Sequence, residues 1–242
     1  MKYEYRNSGI EWIEKIPNHW KIDRLKDIAE INYAVLSTNT PSDYLLKYID
    51  ISNVNVKGIV SLDNIEEMEF EMAPSRARRI IKFGDIIISS VRPNLQAIAH
   101  IELNDDNLIC STGFNVVKTE DKIVLSKYLY YYLLSEYSKN YFESRAKGVG
   151  YPAVADKDFN TLKVFIPPIS EQTQIIKYLD RVCEDIAKVI QIKIGNSKIE
   201  DETTNNQINV LLSYKKALIQ EVITGKKQVY GLTKEKQQMQ TV

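Results

Sequence analysis

From Ser170 to Thr224 the chain is patterned in steps of three and four. Apolar residues stand at Ile175, Leu179, Val182, Ile186 and Val189, and again at Ile208, Leu211, Leu212, Leu218, Ile219 and Val222. A parallel line runs through Ile176, Cys183 and Ile190. This spacing predicts helix, and a stripe of double width needs more than one neighbour, as in a bundle or coiled coil. A solitary helix would leave the stripe in water. Three things can cover it: a fold-back of the same chain, a second copy, or another protein. Lys215 sits on the stripe as an imperfection. Ser170 is placed to cap the start, and Glu171 in the first turn suits the helix dipole. The middle is ambiguous. Gly195-Asn196-Ser197 and Thr203-Thr204-Asn205-Asn206 are poor helix formers, which favours a break near Gly195. An unbroken helix would be about 80 Å long.

The preceding residues have a different texture. They hold both tryptophans and most of the aromatics, in short apolar runs divided by turn residues. Strands are predicted at Tyr44 to Ile51, at Ala97 to Ile101, at Leu108 to Val117 and at Thr161 to Ile166. Two more fall within Arg79 to Val91, joined through Gly84-Asp85. Leu125, Tyr128, Leu129, Tyr132, Leu133, Tyr137 and Tyr141 form one helical stripe, with Ser126 as its expected cap, and read as a core-packing helix. The fold class is therefore α+β: a mixed domain over residues 1–168, a long coiled-coil-forming helical region over 169–226, and a polar tail over 227–242. No internal repeat is present, so the chain is one unit.

The 32 basic and 32 acidic residues balance. A neutral chain does not coat nucleic acid at large, so any DNA contact must come from a local patch or from partners that supply charge. Cys110 and Cys183 have no CxxC spacing; they read either as a single disulfide or, as expected in a reducing cytosol, as free thiols. The first twelve residues lack the apolar stretch of a signal peptide, and no run is long enough to span a membrane, so the expected location is the cytoplasm.

Four segments, in order, resemble the DNA specificity subunits of type I restriction–modification enzymes. They are Gly9 to Trp20 (GIEWIEKIPNHW), Gly84 to Asn94 (GDIIISSVRPN) followed by Ser111-Thr112-Gly113-Phe114, Ile166 to Gln174 (IPPISEQTQ), and Lys216 to Lys226 (KALIQEVITGK). Each is weak alone; their order and spacing make the match specific. The resemblance implies a target-recognition domain and a conserved helix. Full-length members carry two of each, so this chain resembles a half-subunit. The stretch from Gly195 to Asn206 is longer than the family pattern. With the uncovered stripe, this half-length form leads to the expectation that the helical region pairs with that of a second copy. The seam would be Ile175, Leu179, Val182, Ile186, Val189, Leu211, Leu218 and Val222. The resemblance also implies adenine methyltransferase subunits that supply S-adenosylmethionine, and a motor–nuclease subunit that would bring ATP and Mg. No cofactor is expected on this chain.

The residues suggest where double-stranded DNA would be read. Arg76, Arg78, Arg79, Lys82 and Arg92 cluster between positions 74 and 100, after an acidic run of Asp63, Glu66, Glu67, Glu69 and Glu71. Such neighbouring runs form either a self-pairing solvated surface or a local positive face. Arg92-Pro93-Asn94 follows a predicted strand. Arginine suits guanine O6 and N7, asparagine suits adenine N6 and N7, and Ser89 and Ser90 offer hydroxyls. The alternative for Arg92 is an internal ion pair. Arg145 to Tyr151 (RAKGVGY) combines two glycines with Arg145, Lys147 and Tyr151. It reads either as a DNA-contacting loop or as a glycine-capped helix end.

Catalytic patterns are weak. There is no NPPY- or DPPY-type methylase motif and no phosphate loop, and His19 and His100 lack a metal or nucleophile pattern. Glu120-Asp121-Lys122, with Asp105 and Asp106 upstream, has a nuclease-like order but lies in an acidic turn and is read as chance. The expectation is a non-catalytic DNA-reading subunit. Two rivals remain: an interaction-only fragment that modulates a full-length subunit, and a nuclease or methylase component.

Overall fold

The computed structural model describes residues 3–54, 60, 65–148, 150–196 and 202–229. Asp63, Ser197 and the tail beyond residue 229 lie outside the described residues. Two four-stranded sheets form the centre. The strands of the first are β5 (Leu45–Ile49), β6 (Glu66–Glu69), β7 (Ala77–Ile80) and β10 (Leu108–Ser111), in the order β6-β5-β10-β7. Those of the second are β4 (Ala29–Ile31), β8 (Ile86–Ser89), β9 (Ile98–His100) and β11 (Phe114–Thr119), in the order β4-β11-β8-β9. Only β5 and β10 run parallel; the other pairs within these two sheets are antiparallel.

The chain twice steps from one sheet to the other. It passes from β7 to β8 through Gly84-Asp85. There Asp85 accepts hydrogen bonds from the Lys82 N–H and the Tyr33 hydroxyl, each 2.8 Å long. It passes again from β10 to β11 at Thr112-Gly113. The run from Leu108 to Val117 is thus two strands in different sheets rather than the single strand expected. Alternation explains the layering. Ile87, Phe114 and Val116 face a core shared with Ile49, Leu108 and Cys110 of the first sheet, while Ile86, Ile88 and Val117 face the helices. All four residues of β8 are buried because both of its faces are covered. The strand β6 lies at a sheet edge, and its glutamates leave that edge unattractive to further pairing.

Two small strand pairs frame these sheets. The hairpin of β1 (Tyr5–Ile10) and β2 (Ile13–Pro17) precedes β3 (Lys21–Arg24), which pairs with β12 (Lys163–Ile166). Short helices α1 (Leu25–Ile28) and α4 (Asp156–Thr161) pack on each other.

The tyrosine stripe forms two helices, α2 (Ser126–Leu133) and α3 (Glu136–Glu143), instead of one. Ser135 breaks it. Its hydroxyl donates to the Tyr132 carbonyl at 2.6 Å and accepts from the Ser138 N–H, capping α3. Both helices face the same core, so the periodicity carries across the break. Ser126 is not the expected cap: Leu125 holds that position, and the Ser126 hydroxyl lies 3.0 Å from His100 Nε2. The buried phenols of Tyr128 and Tyr132 donate to the Phe165 and Lys163 carbonyls at 2.8 and 2.7 Å.

Helix α5 (Ile169–Asn196) begins one residue before its expected cap, Ser170, and includes Gly195. Helix α6 (Glu202–Ile223) returns along it. Lys193 near the end of α5 bonds Gln207 near the start of α6, and the other ends of both helices reach the mixed domain. The helical region is therefore a hairpin, and fold-back is what covers most of the stripe. Ile175, Leu179, Leu218 and Val222 are buried in one core with Tyr128, Phe142 and Phe165. These four residues, expected from their spacing to line a partner seam, are instead part of this chain's own interior. The boundary at residue 168 consequently divides sequence textures but not hydrophobic cores.

Candidate nucleic-acid interface

The strand β8 ends at Ser89, and the chain then makes a tightly bonded turn. Ser89 is only 4% exposed, and its hydroxyl donates to the Val91 carbonyl. That removes it from the DNA-contacting residues expected from the sequence. Ser90 donates both its N–H and its hydroxyl to the Gly113 carbonyl, each at 2.9 Å. The Arg92 N–H donates to the Pro152 carbonyl at 2.8 Å, and the Val154 N–H to the Ser90 carbonyl at 2.9 Å. Ala153 bridges both Val91 and Lys147. Two loops far apart in sequence, 90–96 and 145–154, are thereby joined by backbone bonds into one surface.

Arg92 and Gln96 both adopt left-handed backbone, at φ 50° and 48°. They bracket a 3-10 turn, Pro93–Leu95, closed by Leu95 N–H to Arg92 carbonyl and Gln96 N–H to Pro93 carbonyl bonds of 2.9 and 3.1 Å. Left-handed geometry costs a non-glycine residue about 1 kcal/mol or more and persists only where surrounding structure holds it. Here the Gln96 side-chain amide donates to the Leu134 carbonyl at the end of α2, at 3.2 Å. Pro93 is buried; Arg92, Asn94 and Leu95 are exposed.

The Arg92 guanidinium lies 4.4 Å over the Tyr151 ring centroid. Tyr151 itself is 72% exposed. Stacking of this kind orients the planar fork of arginine while leaving its donors free. Among the described residues no carboxylate pairs with Arg92 or Lys147, so Arg92 does not form the internal ion pair that was its alternative. The RAKGVGY segment divides between its two readings. Arg145 closes the end of α3, with its guanidinium 3.7 Å from the Tyr141 ring centroid and donating to the Tyr141 carbonyl. Lys147 and Tyr151 join the Arg92 surface, and Gly148 and Gly150 take positive φ between them.

The other basic candidates differ in how they are held. Arg76 pairs with Asp50 and donates to the Tyr48 hydroxyl at 3.1 Å. Its carbonyl accepts from Thr112, next to the Gly113 that holds Ser90, so Arg76 stands on the flank of the same surface. The Arg78 guanidinium covers the Phe70 ring at 4.5 Å. Arg79 is internal: it donates to the Phe114 carbonyl and to Asn32 and Asn115, and burial pushes its guanidinium pKa down. Arg76 and Arg79 are thus tied down outside the neighbouring acidic segment and Arg78 is stacked on Phe70 within it, whereas no carboxylate pairs with Lys82, Arg92 or Lys147 among the described residues. Sequence reading missed Leu95, which stands exposed in the same turn, because an isolated leucine carries no signal until its surroundings are known.

A second cluster uses three of the four family-like segments. Glu171 accepts from Trp20 Nε1 at 3.2 Å, and its other oxygen lies 2.8 Å from His19 Nε2; the Tyr3 hydroxyl also donates to it. Gln172 accepts from the Leu125 N–H at 2.8 Å and donates to the Ile123 and Pro167 carbonyls at 3.0 and 2.8 Å. Tyr5 donates to the Gly225 carbonyl, and Gly225 packs on Pro17 and Trp20. Residues 9–20, 166–174 and 216–226 therefore make one joint between the mixed domain and the helical hairpin. The remaining segment, 84–94 with 111–114, makes the exposed turn. No group of three or more metal-ligating side chains occurs among the described residues, and no described helix is long and apolar enough to cross a membrane.

A scaffold that buries one set of these segments in a joint and displays the other on a cationic turn defines a DNA-specificity domain. Residues 17–196 match the family described as type I restriction modification DNA specificity domain, and the chain belongs to that family. Among relatives from Methanocaldococcus jannaschii, it is 26% identical over 228 residues to the putative type I restriction enzyme MjaX specificity subunit, covering 92% of this chain and 49% of that one. To the MjaVIII specificity subunit it is 31% identical over 224 residues, 88% of this chain and 50% of that one. The fold is similar to the crystal structure of the HsdS subunit from Thermoanaerobacter tengcongensis, with a TM-score of 0.66 and 28% identity over 74% of this chain and 46% of that one. The chain spans about half the length of these relatives.

Proposed function

We propose that this chain reads DNA sequence for a type I restriction–modification enzyme and does so as half a specificity subunit. The observation that carries this reading is the convergence of Arg92, Asn94, Lys147 and Tyr151 on one surface, pinned by backbone bonds to β8 and to the Thr112-Gly113 turn. Arg92 offers a bidentate donor to guanine in the major groove, Asn94 complements adenine, and Lys147 contacts phosphate. The chain works without catalytic groups or cofactors of its own, in the cytoplasm. Adenine methyltransferase subunits supply S-adenosylmethionine, and a motor–nuclease subunit, where present, supplies ATP- and Mg-dependent steps.

The second half is another copy of the chain. The outer end of the α5–α6 hairpin supports this. There Val189, Ile192, Ile194, Val210, Leu212 and Tyr214 remain exposed on consecutive turns. Val189 is the member of the expected seam that stays exposed; Val182 and Leu211 are half-buried and Ile186 is buried. Two copies related by a two-fold axis would present two turns to inverted half-sites separated by a fixed spacer. Sequencing of methylated DNA from cells carrying this chain and its methyltransferase should reveal a palindromic bipartite motif. A continuous or asymmetric motif would contradict the symmetric pair.

A further inference from the structure

We infer that Leu95 is a specificity-determining residue that reads the C5-methyl group of a thymine beside the base contacted by Arg92. This rests on the DNA-reading function proposed above. Leu95 is 56% exposed, in a turn closed by its own N–H and that of Gln96 and anchored by that of Arg92. The same turn buries Pro93 and so has an inward place for apolar surface, which Leu95 does not take. The bond from the Leu95 N–H to the Arg92 carbonyl makes the two residues partners at i and i+3. That bond closes the turn and holds the two backbones within about 7 Å of each other, or about two base-pair steps of 3.4 Å.

The surroundings give Leu95 little else to do. Tyr151 already stacks with Arg92, and Gln96 is turned away to the Leu134 carbonyl. Arg92 and Asn94 both present hydrogen-bonding groups, so Leu95 is the apolar side chain of the exposed tip. The major groove offers one apolar feature on its base edges, the thymine methyl, and an aliphatic side chain is what complements it. Fixed left-handed backbone at Arg92 and Gln96 sets the height of Leu95 and spares the backbone ordering cost of binding.

The experiment measures binding of the full chain, with its methyltransferase subunits, to duplexes carrying the methylated motif. Thymines of each half-site are replaced one at a time by deoxyuridine, which lacks only the methyl. One position should weaken wild-type binding about four-fold, the worth of one buried methyl. In Leu95→Ala that position should become indifferent, and Leu95→Met should restore the sensitivity. Guanine preference through Arg92 should persist in both variants, which also shows that they fold. Equal sensitivity in wild type and Leu95→Ala, or indifference at every thymine, would overturn the assignment of Leu95. Loss of all sequence dependence in the wild type would instead remove the DNA-reading function itself.

Discussion

Gly225 stands so close to Pro17 that a Cβ added to it would lie 2.4 Å from the proline ring. The contact joins the end of the helical hairpin to the β1–β2 hairpin, with Trp20 closing over the same point. It explains why a glycine follows Ile223-Thr224: the backbone is at φ +71°, and the neighbour is a ring that cannot turn away. Gly225→Ala should lower unfolding free energy by about 2–4 kcal/mol through strain and overpacking together. Urea denaturation followed by tryptophan fluorescence reads this directly, since Trp20 is in the joint. A change below about 0.5 kcal/mol would mean the joint relaxes freely.

Gln172 fixes the other side of that joint. Its side chain is fully buried and bonded to three backbone groups from two segments. Gln172→Ala leaves an N–H and two carbonyls buried without partners, a loss of about 2–4 kcal/mol. Gln172→Glu replaces a double donor by an acceptor facing two carbonyls and should be at least as damaging. Thermal unfolding of both variants checks the order.

Arg92 and Tyr151 should be separable by DNA selectivity. Arg92→Ala should cost about 1–3 kcal/mol of preference for one guanine. Tyr151→Phe keeps the ring and should change little, whereas Tyr151→Ala frees the guanidinium and should lose part of the same preference. Arg76→Ala, already paired with Asp50, should leave sequence choice intact. Competition binding against single-base variants of the motif distinguishes these outcomes.

The exposed end of the hairpin predicts a clean separation of assembly from folding. Ile192 and Val210 are 62% and 67% exposed. Ile192→Glu with Val210→Glu should abolish self-association in sedimentation, while shifting monomer stability by no more than about 0.5 kcal/mol per site. A wild-type chain that stays monomeric at high concentration would remove the symmetric pair.

His100 gives a pH signature. It is mostly buried beside the helices, facing Glu102, Lys127 and Asp180, and burial holds its pKa below the ordinary 6.5. Its neutral form is therefore favoured in the folded state. The unfolded chain takes up the proton first as pH falls below about 6.5, so stability is present above that value and is lost toward the lower folded pKa. Asp85, whose carboxyl is pushed up by burial, acts in the opposite sense nearer its own ordinary value of 3.8. Denaturation between pH 7.5 and 5.5 should show a decline in wild type that is shallower in His100→Gln.

The sequence revealed the two textures, the strands at 45–49, 86–89, 98–100 and 163–166, and the Arg92 turn. It could not reveal that residues 90–92 are bonded to 152–154, because that pairing depends on backbone groups sixty residues apart and leaves no side-chain pattern. The helical stripe was correctly seen as needing cover. Which cover it takes was not readable, because Ile175 and Leu218 look the same whether they meet their own chain or another. The tyrosine stripe hid its break at Ser135, since the two helices present aromatics to one core. The β1–β2 hairpin was missed altogether: its residues alternate poorly, and a bulge between Asn7 and Ile10 disturbs its register.

The turn at 92–96 is anchored almost wholly through main-chain groups: Arg92 to Pro152, Leu95 to Arg92, Gln96 to Pro93, and Ser90 to Gly113. Main-chain anchors are indifferent to which side chains they carry. Substitutions at 94 and 95 can therefore pass through a lineage without disturbing the interior, and substitution at 92 need only tolerate its backbone twist. Under the DNA-reading function proposed above, the side chains that meet the bases can change without a new scaffold, so target preference can shift while the architecture stands still.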